Sequence, residues 1–237
     1  MFPRPSGAAG TALRVRRKLN RVDTRAFART LPSLWDDFPN SQLPRDERFR
    51  EILEQVPGLT KPNNLALLNL AASQLPTSES YVEVGALRGT SLIAAMLDND
   101  GKDFVVIDDF SMSEASRDQL ERNLARFGVT GAAILEGDAF EILRSDFLNG
   151  RSVGVYYYDA AHTYEQQLDG LRLSEPHLAD EALLIVDDTD WDFVARAVDD
   201  YVRSQPKAEA LVEIGGKDKG APAWWEGVRV LSWFGDR

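Results

Sequence analysis

From Tyr81 onward, short and nearly continuous apolar runs alternate with longer stretches whose apolar positions recur every three or four residues. The runs are Tyr81–Val84, Phe104–Ile107, Ala132–Leu135, Val153–Tyr158 and Leu183–Val186. Unbroken apolar character over so few residues is what a parallel strand buried on both faces shows. The stretches between them predict helices over Thr90–Leu97, Glu114–Phe127, a short segment from Ala139, Tyr164–Leu178 and Trp191–Arg203. Two late runs, near Ala210–Ile214 and Gly227–Trp233, have only a Gly/Lys/Pro loop between them, so they predict an antiparallel hairpin. The fold class expected is therefore α/β. It would be a doubly wound, Rossmann-like seven-stranded sheet, mostly parallel, with a terminal antiparallel hairpin and helices on both faces.

Periodicity is weaker upstream. Residues 1–60 contain Pro3, Pro5, Pro32, Pro39, Pro44 and Pro57, with short helical candidates around Thr11–Asn20 and Asp46–Gln55. They predict an N-terminal extension or lid packed over a main domain of residues 61–237. Asn63–Leu75 carries a helical pattern in Leu65, Leu68, Ala72 and Leu75 and stops at Pro76.

Charge sharpens that division. The first fifty residues hold eleven Arg or Lys and five Asp or Glu; with the whole chain at −11, the remainder carries −17. An acidic body argues against general nucleic-acid binding, which depends on neutralising phosphates. The basic arm, with Arg14, Arg16, Arg17 and Lys18 close together, reads as solvated or docked on a partner, and its exchange between subunits would give a homo-oligomer. A transit peptide shares these traits, whereas no apolar region follows to make a secretory signal. No apolar run approaches the ~18 residues of a membrane helix. Cysteine is absent, which excludes disulfides and thiolate metal sites and fits a cytoplasmic setting.

The chemistry gathers at strand ends. Strand one ends on Glu83 and breaks into a turn with Gly85 and Gly89, where the missing Cβ lets backbone approach a ligand. Glu83 is placed to receive a cationic or hydroxyl-bearing ligand. Asp108-Asp109 ends strand two, about twenty residues after the glycine turn, the spacing at which a carboxylate accepts ribose hydroxyls. Asp138 follows strand three, placed for an exocyclic adenine amine or as a helix N-cap. Asp159 ends strand four, and Asp187-Asp188 ends strand five.

These segments resemble the class I S-adenosylmethionine-dependent methyltransferases over about residues 62–234. The resemblance rests on Val82-Glu83-Val84-Gly85-Ala86-Leu87-Arg88-Gly89-Thr90-Ser91 and Gly137-Asp138-Ala139. Tyr157-Tyr158-Asp159-Ala160-Ala161-His162-Thr163-Tyr164-Glu165 and Leu184-Ile185-Val186-Asp187-Asp188 are similar to a small-molecule branch of macrocin and sugar O-methyltransferases. The resemblance implies S-adenosylmethionine as cofactor, bound by Glu83, Gly85, Gly89, Asp108 and Asp138. It also implies Mg2+ or Mn2+ on Asp159, Asp187 and Asp188, and a small-molecule hydroxyl acceptor (sugar, polyketide or phenol). Hard cations take carboxylate oxygens, which suits that ligand set.

Two features depart from the family's pattern. Ala161 stands where many relatives carry a second acid, so the base would be His162, a residue outside the motif, or none beyond metal activation. Ala179-Asp180-Glu181-Ala182 replaces the usual Pro-Gly-Gly turn before strand five. His162 itself reads equally as a base or as a structural residue. His177 reads as a surface or helix-capping residue, and Trp224-Trp225 as packing or as a cover for the substrate. Two rival functions remain open. A degenerate methyltransferase fold could serve cofactor binding or interaction alone. A nicotinamide-dependent dehydrogenase fits less well, because the Gly-x-Gly-x-x-Gly fingerprint is missing.

Overall fold

The computed structural model describes residues 21–235, apart from residue 114. The helical candidate Thr11–Asn20, the basic cluster Arg14–Lys18 and Glu114 lie outside the described residues. Three helices come first: α1 (Thr24–Thr30), α2 (Arg48–Gln55) and α3 (Pro62–Ser73). There follow β1 (Ser80–Val84), α4 (Thr90–Met96), β2 (Asp103–Asp108), α5 (Arg117–Arg126), β3 (Ala133–Glu136) and α6 (Ala139–Arg144). The chain then forms β4 (Val153–Tyr158), α7 (Tyr164–Ser174), β5 (Leu178–Asp187), α8 (Asp192–Ser204), β6 (Ala208–Ile214) and β7 (Val228–Phe234).

The strand order is β3-β2-β1-β4-β5-β7-β6. Strands β1 to β5 pair in parallel. β7 runs antiparallel between β5 and β6, so the late pair is a hairpin inserted with its second strand inward. This is the doubly wound sheet expected from the sequence.

The two-residue repeat of strands divides the core. Tyr81, Phe104, Val106, Val155, Tyr157, Leu183 and Ile185 face α3, α4 and α5. Val82, Val84, Val105, Ile107, Tyr156 and Tyr158 face α6. Leu184 and Val186 pack with α7 and α8. α3 is buried all round from Pro62 to Leu68, as an apolar helix without a polar face must be. Phe27, Leu31, Trp35, Phe49, Ile52 and Val56 join the same core, so the segment before α3 contributes buried side chains to it.

One boundary differs from the sequence reading. α7 stops at Ser174, and β5 starts at Leu178, five residues before the apolar run. Ala179–Ala182 is thus strand, not turn. Its inward acid, Glu181, is satisfied from far away: Oε1 accepts the Thr24 N–H (3.0 Å) and hydroxyl (2.8 Å), and Arg21 Nε lies 3.3 Å from Oε2. His177 is buried rather than superficial, with Nε2 2.9 Å from the Leu143 carbonyl oxygen.

Beside Glu181, Glu79 Oε2 accepts the Val22 N–H at 3.1 Å. Burial pushes the Glu79 carboxyl up to about 7, and the Glu181 charge adds to the rise against the Val22 hydrogen bond. A folded pKa above the unfolded value near 4.5 means the native state binds more protons between those values. Stability from this group therefore falls as pH rises from about 4.5 through 7. Glu79→Gln keeps an acceptor for Val22 without the charge. Its melting temperature, relative to the parent protein, is expected to increase between pH 5 and pH 8. A pH-independent difference would remove Glu79 from this role.

Candidate functional site

The carboxyl ends of β1, β2, β4 and β5 lie along one edge of the sheet, and the turn after β1 shapes its centre. Gly85 has φ +90°, and a Cβ there would lie 1.8 Å from the Asp159 carbonyl oxygen. The Asp159 N–H meanwhile donates to Val84 O at 2.9 Å. Gly85 is therefore required by the approach of β4, a reason distinct from the ligand approach expected of it. Gly89, with φ +86°, opens α4 from the left-handed region.

Glu83 lies fully buried beneath this turn. Oε2 accepts the Tyr81 hydroxyl (2.9 Å) and Oε1 the Ser91 hydroxyl (2.6 Å). Burial pushes its carboxyl up to about 7. Its oxygens thus face internal hydroxyls, where the sequence reading has them beside the ligand.

Asp108 grips the turn from β2. Oδ2 accepts the N–H groups of Ala86 (2.6 Å) and Leu87 (2.9 Å), and Oδ1 that of Phe110 (2.7 Å). Asp138 is exposed and caps α6 through the Glu141 N–H at 2.9 Å. The Gly137 N–H donates to the Asp108 carbonyl oxygen at 3.1 Å, which holds the ends of β2 and β3 together. Asp108→Ala would orphan three amides while deleting the carboxylate expected to meet ribose. The variant is expected to lose about 1–3 kcal/mol of S-adenosylhomocysteine binding and to melt earlier. Calorimetry and thermal denaturation check both; unchanged affinity would take Asp108 out of the site.

The densest chemistry lies between β4 and β5. Asp159, His162 and Asp188 offer ligand atoms that all fall within 4.8 Å of one another. His162 Nε2 is 2.8 Å from Asp188 Oδ2, yet His162 Nε2 and Asp188 Oδ1 are both buried without a hydrogen-bond partner. Buried polar atoms left unpaired are rare and ask for an explanation. Two carboxylates and one imidazole form a donor set that fits Mg2+ or Mn2+. Asp188 reaches this position from a left-handed backbone, φ 56°, which costs energy in a non-glycine residue. Desolvation, and then the Asp188 charge, raises the Asp159 carboxyl above its ordinary range.

Asp187 stands apart from this group of three. Its Oδ2 accepts the Tyr157 hydroxyl at 2.8 Å, and Asn64 Nδ2 lies 3.4 Å from its Oδ1. Burial, and then the Asp159 charge, raises its carboxyl strongly. The structure thus puts His162 where the expected set of Asp159, Asp187 and Asp188 has Asp187. The sequence reading gives neither Tyr157 nor Asn64 a role at the site. Tyr157 had a signal: Tyr81-Val82-Glu83 and Tyr157-Tyr158-Asp159 repeat Tyr-x-acid at the ends of adjacent strands, and alternation puts each hydroxyl on its own acid.

Aromatic rings border the group. Trp191 stands edge-on to His162, centroids 5.0 Å apart, and Phe193 follows at 5.6 Å. Both are more than a third exposed beside an open cleft of about 440 Å³ lined by His162, Thr163, Tyr164 and Phe193. The loop before β7 closes the other side. Its Trp224 is buried against Trp35 (5.2 Å) and Phe38 (6.2 Å), which settles that tryptophan as packing. Trp225 is half-buried, its N–H donated to Asn64 Oδ1 at 3.1 Å and its ring flanked by Lys61 and Lys217.

The seven-stranded sheet in the order β3-β2-β1-β4-β5-β7-β6 is a Rossmann-like fold shared with methyltransferases of known structure. Residues 82–189 match a protein family described as "Methyltransferase domain". Solved structures with this fold include an O-methyltransferase from Bacillus cereus in complex with SAH, at 14% identity and TM-score 0.61, covering 89% of this chain and 100% of that one. The O-methyltransferase TomG from Streptomyces achromogenes, involved in tomaymycin synthesis and in complex with SAM, gives 17% identity and TM-score 0.62 over 89% of this chain and 96% of that one. A methyltransferase from Geobacter sulfurreducens gives 14% and 0.54, covering 97% of this chain and 98% of that one. No curated protein matches the sequence significantly. Among the described residues, no helix is long and apolar enough to cross a membrane.

Proposed function

We propose that this protein is an S-adenosylmethionine-dependent O-methyltransferase of a small hydroxylated molecule, assisted by Mg2+ or Mn2+. The observation that carries the metal is the convergence of Asp159, His162 and Asp188, with two buried atoms lacking hydrogen-bond partners. The methyltransferase-domain match over 82–189 supports the cofactor.

In this reading Asp108 meets the ribose of the cofactor and Asp138 its adenine. Glu83 acts from below by holding Ser91 and Tyr81, which fixes the first turn of α4 against β1. Asp159, His162 and Asp188 hold the cation, and the open cleft beside Trp191 and Phe193 admits the acceptor. When bound, the cation lowers the pKa of the acceptor hydroxyl and orients its oxygen towards the cofactor's methyl group. With Nε2 turned to that site, His162 serves as a ligand in preference to a base, because ligation uses the lone pair a base would need.

Calorimetry with S-adenosylmethionine, S-adenosylhomocysteine and NAD tests the cofactor. A panel of sugars, polyketides and phenols, read by mass for one added methylene, tests the reaction. Binding of NAD in place of the sulfonium cofactor would favour the dehydrogenase. Cofactor binding with no turnover on any acceptor, with or without Mn2+, would favour the degenerate, non-enzymatic reading.

A further inference from the structure

Four carboxylates meet near the ends of β1, β4 and β5, and one hydroxyl joins two of them. Tyr157 is fully buried, with its oxygen 3.0 Å from Asp159 Oδ2 and 2.8 Å from Asp187 Oδ2. No other hydrogen bond of the Asp159 side chain is found among the described residues. Asp187, in turn, is tied through Asn64 to the backbone of Trp225, in the loop that borders the site. A chain of contacts therefore runs from the Trp225 loop through Asn64, Asp187 and Tyr157 to Asp159.

We propose that Tyr157 is the positioning residue of the cation site, fixing the Asp159 carboxylate by one oxygen, and that Asp187 acts through Tyr157 and does not ligate the cation. The inference rests on the metal reading given above. Its physical basis is that a carboxylate free to rotate must be ordered at the moment of binding, whereas one already held loses little further entropy. Partners of this kind around a metal ligand are worth about 10–100-fold in metal affinity. Tyr157 suits the task because its ring is buried in the core on the sheet face packed by α3 and α4. The hydroxyl has one proton, shared between Asp159 Oδ2 and Asp187 Oδ2, and Asp187, held by Asn64 on its far side, keeps the Tyr157 oxygen between the two carboxylates. The neighbouring strand offers a parallel: Tyr81 holds Glu83 in the same way, two residues along.

The test is a titration of the full chain with Mn2+ alone, following free Mn2+ by electron paramagnetic resonance. Tyr157→Phe removes only the hydroxyl. It is expected to weaken Mn2+ binding by about 10–100-fold, with S-adenosylhomocysteine affinity measured without metal left unchanged. Asp159→Asn is expected to abolish Mn2+ binding. Asp187→Asn, which still offers Tyr157 a carbonyl acceptor, is expected to retain binding no weaker than that of Tyr157→Phe. This second variant keeps the idea open to refutation if Tyr157→Phe fails to fold. Parent-like Mn2+ affinity in Tyr157→Phe overturns the proposal. So does loss of binding in Asp187→Asn as complete as in Asp159→Asn, because Asp187 would then be a ligand. Absence of Mn2+ binding by the parent protein, with S-adenosylhomocysteine still bound, refutes the metal reading itself and this inference with it.

Discussion

Turnover is expected to fall to background after exhaustive chelation and to return when Mg2+ or Mn2+ is added. The same loss is expected of Asp159→Asn and Asp188→Asn, with no recovery on added metal. A cation that polarises the acceptor supplies several kcal/mol to the transition state, equivalent to about 10²–10⁴-fold in rate. The argument comes from unbalanced charge. Asp159, Asp187 and Asp188 are desolvated or buried beside one another, and the cationic partner facing them among the described residues is His162, 2.8 Å from Asp188. Carboxylates brought together without a cation repel and resist ionisation. A bound divalent ion would relieve that repulsion in the native state only, so Mn2+ should also raise the melting temperature, with the stabilisation growing as the logarithm of its concentration once that exceeds the dissociation constant. Metal-depleted protein with full activity would mean that these acids serve another purpose. Recovery of Asp159→Asn at high Mn2+ would place the missing ligand elsewhere.

The sheet was legible because burial on both faces writes itself as apolar runs. Tyr81–Val84 and Val153–Tyr158 are wholly buried, and each appears in the sequence as an uninterrupted block apart from Glu83 and Gly154. The strand-end acids were legible for a related reason: Asp108, Asp159 and Asp187 stand where an apolar run stops. Contact between distant residues was not. β5 begins early because Thr24 satisfies Glu181 across a separation of 157 residues, and no local pattern announces such a partner. Asn64 sits in an apolar helix and meets Asp187 at a separation of 123 residues. Gly85 stands out in the sequence, but the backbone a Cβ would strike, the Asp159 carbonyl just past β4, is set by the fold and has no local signal. Asp187 and Asp188 are indistinguishable as letters. What separates them is that Asp187 ends a regular strand facing Tyr157, while the left-handed φ of Asp188 sends its side chain to His162.

His162→Ala is expected to lower turnover about 10²–10⁴-fold at limiting Mn2+, and most of that loss should be restored as Mn2+ is raised. The sequence leaves this residue as a base or as a structural support, and the geometry adds a third role. Nε2 lies 2.8 Å from Asp188 Oδ2, an ion pair with a protonated imidazole and, with a neutral one, the spacing of two ligands around a shared cation. Losing the neutral ligand of the three weakens the site but leaves both carboxylates to hold the cation, so higher metal concentration compensates, as it would not for Asp159 or Asp188. A base lost from an intact site leaves metal affinity untouched, and no amount of Mn2+ would restore the rate. A structural residue gives a third outcome: Trp191 loses the ring 5.0 Å away, the melting temperature falls, and turnover changes modestly. Acidification cannot separate the first two roles, because protonation removes the same lone pair in each. The Mn2+ dependence separates them. S-adenosylhomocysteine affinity should stay constant throughout, since none of the groups gripping the turn after β1 touches His162. A rate deficit that is fully insensitive to Mn2+ would return His162 to the base assignment and leave Asp159 and Asp188 to hold the cation with a further ligand.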